Sequence, residues 1–479
     1  MSSGLGRRAL GGAGATLLWQ GVRLGLLAVS IVVLARLLDP RDYGYLAMVT
    51  AVIGLGELLR DMGLSMAAVQ AKTLSSSEKS NLFWLNSAIG LVLALVVFAS
   101  SWGIALIYDE PALVAITQML SVTFLLNGVA AQYKAQINRD MRFMTLGVTE
   151  ALPQAIALVL AIVLAVNGFG YWALVAQALA VAVLALMLDM MLARWHPSLP
   201  SRKTSIRRFL RFGGALAGTQ GIAYAAKNID TVALGVLFGS NVVGLYSRAF
   251  QLVVLPLNQL TAPLSRVAVP VLSRIQEDRA RFIEYIRTGQ HFTVTLATVF
   301  YAALVGFAEP IVLLVLGDRW LAVAPILQAL ALVGVFRALG QVPYWIFVSL
   351  GLTGKQLKIY LVTQPIVVVS ILVGAPWGPV GVGIGGSVGY FLFWIIQMWW
   401  AGRTSGLPAW SLTRSGLLTV LVTGVPVAAA GYVSTVLFSG PLALALGAAV
   451  ALLWVAAVNL LVPANRRRLR TVTSLVRKR

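Results

Sequence analysis

Long apolar segments occupy almost the whole chain and restrict it to a membrane fold. A bilayer core requires roughly 20 apolar residues per helix, and fourteen segments of about that length follow one another. Of the 479 residues, 59% are hydrophobic, and the mean hydropathy is +0.86. The sequence therefore predicts an all-α polytopic membrane protein. The predicted spans are approximately 14–37, 43–63, 81–104, 112–133, 143–166, 170–193, 213–237, 242–268, 290–315, 322–348, 357–375, 379–401, 414–437 and 440–462.

The basic residues between these spans fall on alternate loops. Because the number of spans is even, both termini lie on one side, and that side carries 29 of the 37 Lys and Arg residues. The opposite side carries only Arg36, Arg41, Arg248 and Arg319. Lys and Arg are enriched in cytoplasmic loops, so we expect a bacterial inner-membrane protein with cytoplasmic termini. The net charge of +21 then reflects topology, and no nucleic-acid partner is expected.

Several function classes are excluded by what the sequence lacks. Without cysteine there is no thiol catalysis, disulfide or iron–sulfur ligation. The two histidines, His196 and His291, form no metal-binding pattern. Gly354-Lys355 is followed by Gln356 instead of the Ser or Thr of a phosphate-binding loop. We therefore expect no enzymatic activity, cofactor or metal, and the remaining classes are transporter, channel and scaffold.

An internal repeat favours a transporter. At an offset of 200, Gly44 matches Gly244, and at an offset of 210, Gln118 matches Gln328. Six spans return the chain to the same side, so the repeat predicts two parallel six-helix lobes with pseudo-twofold symmetry. Transporters with such repeats bind substrate at the interface between the repeats. The predicted divisions are an N-terminal lobe over 1–200, a C-terminal lobe over 201–403, and two extra helices with a basic tail over 404–479.

Several segments resemble the polysaccharide-export branch of the multidrug/oligosaccharidyl-lipid/polysaccharide exporter superfamily, which contains the lipopolysaccharide O-unit and exopolysaccharide flippases. Examples are LARLLDPRDYGYLAM over 34–48 and LGDRWLAVAPILQAL over 316–330. The most specific segment spans 228–276, and the resemblance extends to about residue 400. The other similar segments are 59–70, 108–128 and 167–177.

The resemblance implies a flippase that works by alternating access. Its substrate would be a polyprenyl-pyrophosphate-linked oligosaccharide, carried from the cytoplasmic to the periplasmic leaflet for exopolysaccharide, capsule or lipopolysaccharide synthesis. Membrane lipid and the glycosyltransferases and polymerase of the same pathway are the implied partners. Two alternatives stay open. A cation-coupled multidrug exporter of the same superfamily would require an acidic pocket, and a scaffold of a polysaccharide synthase would need no basic residues in a cleft.

Basic residues inside apolar spans mark the predicted substrate site. A charge at mid-span costs about 2.5–3.5 kcal/mol, so such residues tend to face polar cavities. We predict that Arg23, Lys227 and Arg337 converge on one cationic cavity between the lobes, where guanidinium groups suit the pyrophosphate. Alternatively, Arg23 snorkels to the cytoplasmic surface. The polar residues assigned to the same substrate site are Gln20, Tyr224, Asn228 and Gln341.

Two carboxylates inside spans are candidates for coupling transport to an ion gradient. They are Asp230 and Glu150. A structural interpretation is open for both, because Lys227 and Asp230 can neutralise each other at i, i+3, and Glu150 can be a hydrogen-bonded structural acid. A third acidic residue, Asp189, lies near a predicted helix end and is expected to be solvated.

A charged group at the predicted cytoplasmic end of the second span is the candidate gate. It consists of Glu57, Arg60 and Asp61. Carboxylates and a guanidinium at this spacing can pair on one helix face. We favour a structural or gate-locking ion network over direct substrate contact.

Overall fold

The computed structural model describes residues 2–61, 74–201, 207–438, 440–463 and 465–466. Within these residues the regular secondary structure is entirely helical, so the predicted all-α class is confirmed. The chain divides into two compact units, Met1–Gly244 and Leu245–Arg479. The repeat-based boundary at residue 200 stays a prediction.

The described residues of the first unit form six complete helices and the start of a seventh. They are α1 (Ser2–Leu37), α2 (Pro40–Asp61), α3 (Ser76–Tyr108), α4 (Ala112–Arg139), α5 (Phe143–Val166), α6 (Tyr171–Leu192) and α7 (Arg207–Arg274), which continues into the second unit. The second unit adds α8 (Arg279–Gly306), α9 (Ala308–Val315), α10 (Val323–Leu339), α11 (Gln341–Ser349), α12 (Thr353–Gly374), α13 (Gly378–Ser405), α14 (Ala409–Thr419), α15 (Val425–Leu437) and α16 (Gly440–Leu461). Short 3₁₀ turns occur at Asp318–Trp320 and Ala375–Trp377.

Ten helices in the described part of the chain are long and apolar enough to cross a membrane, or up to eleven if the α8–α9 pair, bent by 83°, is one span. The predicted number of fourteen is therefore not confirmed. Two of the ten, Lys227–Arg274 and Thr353–Ser405, each cover two predicted spans. Both are interrupted at a glycine with positive φ, Gly239 at 77° and Gly378 at 74°, a conformation that favours glycine. In the second, the 3₁₀ turn Ala375–Trp377 precedes the glycine.

Glycines allow close helix packing in both units. In the first unit, a Cβ atom on Gly90 of α3 would lie 2.6 Å from the carbonyl oxygen of Phe124 on α4. In the second unit, a Cβ atom on Gly389 of α13 would lie 2.9 Å from Cα of Val367 on α12. Helices in a bilayer gain packing energy from such small-residue contacts because lipid is as apolar as the side chains.

The start of α2 packs against the glycine break in α7. A Cβ atom on Gly244 would lie 3.1 Å from the backbone nitrogen of Gly44, so the two glycines matched by the sequence repeat are in contact. The Ser240 hydroxyl donates to Oε1 of Glu110 at 2.7 Å, and the Tyr45 hydroxyl donates to Oε2 at 3.2 Å. This carboxylate therefore ties the α3–α4 connection to α2 and α7.

A π-helical turn joins α14 to α15 over Val420–Gly424. Such a turn disturbs the regular i→i−4 hydrogen bonds, and a carbonyl left without a partner is costly inside a bilayer. The Trp454 indole of α16 donates to the Val422 carbonyl at 2.9 Å. The extra helix α16 thus stabilises the irregular turn in its neighbour.

Candidate functional site

A cavity of about 600 Å³ lies inside the N-terminal unit. This volume falls in the range of small-molecule sites, roughly 300–1,000 Å³. Helices α1, α2, α4, α5 and α6 supply its walls, and α7 adds one tyrosine. Aliphatic residues alternate with polar ones around the lining. The polar lining residues are Ser30, Thr50, Glu57, Thr123, Asn127, Gln154, Gln177 and Tyr224.

Tyr224, a predicted substrate contact, crosses the cavity wall from α7 to α2. Its hydroxyl donates to the Thr50 carbonyl at 2.8 Å. The ring passes directly over Gly54, where a Cβ atom would collide with the tyrosine hydroxyl. Asn228, one helical turn later, donates to the Tyr224 carbonyl at 2.9 Å. The absence of a side chain at Gly54 is therefore what lets the tyrosine reach this position.

Glu57, a predicted gate residue, lines the cavity with its charge compensated. Arg60 donates from Nε to Oε2 of Glu57 at 3.0 Å and from Nη1 to the Asn127 carbonyl at 2.8 Å. The Asn127 amide also approaches Oε1 of Glu57 at 3.4 Å. The group therefore links α2 to α4. The side chain of the third predicted gate residue, Asp61, lies outside the described residues, and the gate role stays a prediction.

Three polar side chains of the cavity make no hydrogen bond to any other group in the described part of the protein. They are Ser30 on α1, Gln154 on α5 and Gln177 on α6. Each is partly exposed, and each belongs to the cavity lining. Their hydroxyl and amide groups are therefore available to whatever fills the cavity.

A charged cluster joins α1, α4 and α5 in the same unit. Oε2 of Glu150 accepts from Nη1 of Arg23 at 2.7 Å, and Oε1 accepts from Nζ of Lys134 at 2.6 Å. Both basic side chains are 48% exposed, against 25% for the carboxylate. Two cations share one anion, so this triad has a net positive charge and half-exposed nitrogen donors. Gln20, a predicted substrate contact on α1, is exposed.

The expectation that Asp189 is solvated is wrong, because its side chain is only 3% exposed. Asp189 lies seven residues after buried Ala182 on α6, and residues seven apart share a helix face. It is near Thr149 and Lys134, and its Oδ1 atom has no hydrogen-bond partner. The buried carboxyl therefore belongs to the interior of the helix bundle beside the charged triad.

The other predicted residues of α7 face different surroundings. Lys227 is exposed, whereas Asp230 is 4% exposed. Oδ1 of Asp230 accepts from the Thr231 backbone N–H at 2.7 Å. The ion-coupling roles of Asp230 and Glu150 remain predictions.

Two predicted residues lie in the C-terminal unit. The Arg337 guanidinium sits over the Tyr390 ring, with Cζ 5.4 Å from the ring centroid, a cation–π geometry. Oε1 of Gln341 lies 3.5 Å from the Ser265 hydroxyl. The convergence of Arg337 with Arg23 and Lys227 on one cavity stays a prediction.

Several residues of the N-terminal site were not predicted from the sequence, among them Lys134, Gln154 and Gln177. The fourth span is predicted to end at residue 133, which leaves Lys134 outside it, whereas α4 continues to Arg139. Residues 154 and 177 are amides inside strongly apolar helices. Polar residues inside spans tend to face cavities, so these two positions could have been selected from the sequence.

A family model described as "Polysaccharide biosynthesis protein" matches residues 33–325, more than half of the chain. The chain belongs to the polysaccharide biosynthesis protein family. This family member is 27% identical over 384 residues to the lipopolysaccharide biosynthesis protein WzxC of Escherichia coli (strain K12), covering 78% of the chain and 76% of WzxC. It is 25% identical over 309 residues to the succinoglycan biosynthesis transport protein ExoT of Rhizobium meliloti (strain 1021), covering 64% of the chain and 62% of ExoT.

Solved structures show which fold the family member adopts. The lipid II flippase MurJ in an inward closed conformation matches with a TM-score of 0.68 at 14% identity, covering 93% of the chain and 99% of MurJ. An inward-facing multidrug resistance MATE transporter of the MOP superfamily matches with a TM-score of 0.56 at 16% identity, covering 81% of the chain and 95% of the transporter. At these identities the similarity concerns the fold. It confirms a multi-pass membrane protein, and with the family match it confirms the predicted resemblance.

Proposed function

We propose that this protein is a flippase that carries lipid-linked oligosaccharide units across the bacterial inner membrane, from the cytoplasmic to the periplasmic leaflet. The family match over residues 33–325 is the observation that carries the proposal. The fold shared with a lipid II flippase supports it. Such a protein moves its substrate without making or breaking covalent bonds, so we propose no enzymatic step.

The charged triad supplies the chemistry that a pyrophosphate requires. Arg23 and Lys134 each use one contact on Glu150 and remain half exposed. Arg has five N–H donors in a planar fork that suits phosphate oxygens, and Lys is a compact point charge. We propose that Glu150 holds both cations in place and that their remaining donors bind the pyrophosphate. Arg337, in the C-terminal unit, is proposed as a further phosphate ligand.

The function is tested in a strain lacking its native flippase for a chemically defined surface polysaccharide. We expect this protein, expressed together with its own glycan gene cluster, to restore surface polysaccharide and to prevent lipid-linked oligosaccharide from accumulating in the cytoplasmic leaflet. Vector alone is the control. Unchanged surface polysaccharide combined with increased resistance to cationic drugs would instead identify a multidrug exporter.

The proposed orientation is tested with single cysteines, since the native chain has none. Cysteines at Ser76, Ser201 and Ser405 should resist an impermeant thiol reagent in intact cells. A cysteine at Asn241, which is exposed beside the glycine break in α7, should react. The neighbouring Ser240 is unsuitable because it is 3% exposed. Reaction of the Ser201 variant from outside would contradict cytoplasmic termini.

A further inference from the structure

The polar cavity of the N-terminal unit contains more hydrogen-bonding capacity than the protein itself uses. Ser30, Gln154 and Gln177 contribute a hydroxyl and two amides from three different helices, and none has a partner in the described part of the chain. Each of the three side chains is partly exposed, so its donors and acceptors are accessible from the cavity. Three such groups from three helices around one space can therefore bind a polar ligand together.

The charge of the lining narrows the chemistry of that ligand. Among the lining residues that the structure describes, Glu57 is the one charged side chain, and it is paired with Arg60 at 3.0 Å. A cationic ligand would find no uncompensated carboxylate in this lining, and a phosphate would find no free basic group there. An uncharged ligand with many hydrogen-bonding groups fits best.

The remaining walls suit one class of uncharged polar ligand. A primary amide has an NH₂ group that donates hydrogen bonds and a carbonyl oxygen that accepts them, and a hydroxyl donates and accepts through one oxygen atom. These groups complement sugar hydroxyls, each of which also donates and accepts. Leu26, Leu158 and Leu174 provide apolar surface for the carbon-bound hydrogens of a pyranose ring, and Tyr224 adds an aromatic edge.

We infer that this cavity binds an uncharged sugar residue of the transported glycan, through Gln154 and Gln177 in particular. The inference rests on the proposed flippase function. It separates substrate recognition into two parts of the N-terminal unit: the charged triad of Arg23, Lys134 and Glu150 takes the pyrophosphate, and the polar cavity takes a sugar. Because the two glutamines lie on α5 and α6, a change in the spacing of these helices would alter the affinity for the sugar.

The binding test uses the purified full-length protein in detergent micelles and methyl glycosides of glucose, galactose, mannose, rhamnose and N-acetylglucosamine. Saturation-transfer NMR reports contact between glycoside and protein. We expect at least one neutral glycoside to bind the wild type. Gln154→Met and Gln177→Met should each weaken binding about three- to tenfold, which corresponds to the loss of about one neutral hydrogen bond. The double variant should lose detectable binding.

Matched controls separate this effect from a change in folding. Gln136→Met makes the same chemical change on α4, at a glutamine that donates to Asp140 at 2.9 Å and does not line the cavity. It should bind glycosides like the wild type. The cavity variants should reach normal membrane abundance, because methionine is similar in size and removes a polar group that has no partner. Methyl glucuronide should bind more weakly than methyl glucoside, because the described lining residues include no basic side chain to balance its carboxylate.

Three results would overturn the inference. The first is that no glycoside binds the wild type. The second is that the wild type and the double variant bind glycosides equally. The third is that sodium chloride stabilises the protein in a way that depends on the two glutamines, which would identify a cation site. Complementation in the strain lacking its native flippase distinguishes failure of the flippase proposal from failure of the sugar-site inference. If the wild type fails to restore surface polysaccharide, the flippase proposal fails. If the wild type and the double variant restore it equally, only the sugar site fails.

Discussion

Each compact unit contains a cavity, and the two are similar in volume, about 600 Å³ in the N-terminal unit and about 530 Å³ in the C-terminal unit. Their linings differ. Three amide side chains and four hydroxyls line the first. Branched aliphatic and aromatic residues dominate the second, and no amide occurs among its lining residues in the described chain. The apolar residues of the second lining include Leu264, Val267, Val271, Leu272, Phe292, Leu296 and Trp345.

Hydrogen-bonding groups without partners therefore indicate a ligand site better than cavity volume does. A Ser or Thr in a helix can donate to its own backbone, as Thr123 does to the Leu120 carbonyl at 2.6 Å. A glutamine carries two donors and an acceptor, so it is harder to satisfy locally. Gln154 and Gln177 line the first cavity without a partner in the described chain, so they favour a polar ligand there, whereas the apolar lining of the second cavity does not.

The largest effect should come from the charged triad. We expect the double variant Arg23→Ala/Lys134→Ala to reduce surface polysaccharide about 100-fold or more, because it removes two charged donors whose hydrogen bonds contribute about 1.5–3 kcal/mol each. Arg23→Lys should retain partial activity, since the charge remains and the fork geometry does not. Surface polysaccharide is scored against membrane abundance in the complementation strain, with Lys355→Ala, at an exposed lysine, as the control.

Arg337, the phosphate ligand proposed in the C-terminal unit, is tested in the same strain. Arg337→Ala should also reduce export per molecule of protein in the membrane. The change also removes the cation–π contact with Tyr390, which contributes about 0.5–2 kcal/mol, so surface polysaccharide is divided by membrane abundance. Full surface polysaccharide in both the double variant and Arg337→Ala would contradict the cationic-site proposal and favour a scaffold.

An intermediate effect is expected where Tyr224 crosses α2. Gly54→Ala should lower the free energy of unfolding by about 1–3 kcal/mol, the usual cost of overpacking, because its Cβ atom collides with the tyrosine hydroxyl. Thermal unfolding in micelles measures the change. Gly25→Ala on α1 is the matched control, since in the described chain no atom beyond its own stretch of helix backbone lies within 4 Å of its Cβ position. Combining Gly54→Ala with Tyr224→Leu should recover stability, and failure to recover would show that the tyrosine is not the obstacle.

The smallest effect should occur beside the C-terminal cavity. The Trp345 indole, 1% exposed, donates to the Ser265 hydroxyl at 2.9 Å. Ser265→Ala leaves that N–H without its acceptor and should lower the melting temperature, at a cost of about 1 kcal/mol. Glycoside binding should be unchanged, because this cavity is apolar. A loss of glycoside binding in Ser265→Ala would remove the distinction between the two cavities.

Helix positions could largely be predicted from the sequence. The predicted span 143–166 coincides with α5 (Phe143–Val166), which ends at the turn around Gly168, where φ is 81°. Prediction was poorer where a helix continues beyond the apolar segment, as α4 does to Arg139. The spans predicted at 213–237 and 242–268 lie on either side of Gly239, whose non-helical backbone kinks α7.

The candidate site was only partly predictable. Arg23 and Glu150 were identified as unusual charged residues, but their ion pair joins positions 127 residues apart in the chain. Lys134 could be recognised as the second partner only from the length of α4. Likewise, the burial of Asp189 depends on the helices that pack against its face of α6.

The all-α class, the membrane location and the approximate helix positions follow from the amino-acid sequence alone. The preference of a residue for lipid or water is a property of that residue, and it adds along a segment regardless of what the segment contacts. Only the tertiary structure decided which polar groups find partners. Pairing depends on distances between side chains on different helices, so the satisfied Glu57 and the unpartnered Gln154 and Gln177 could be told apart only once those helices were assembled.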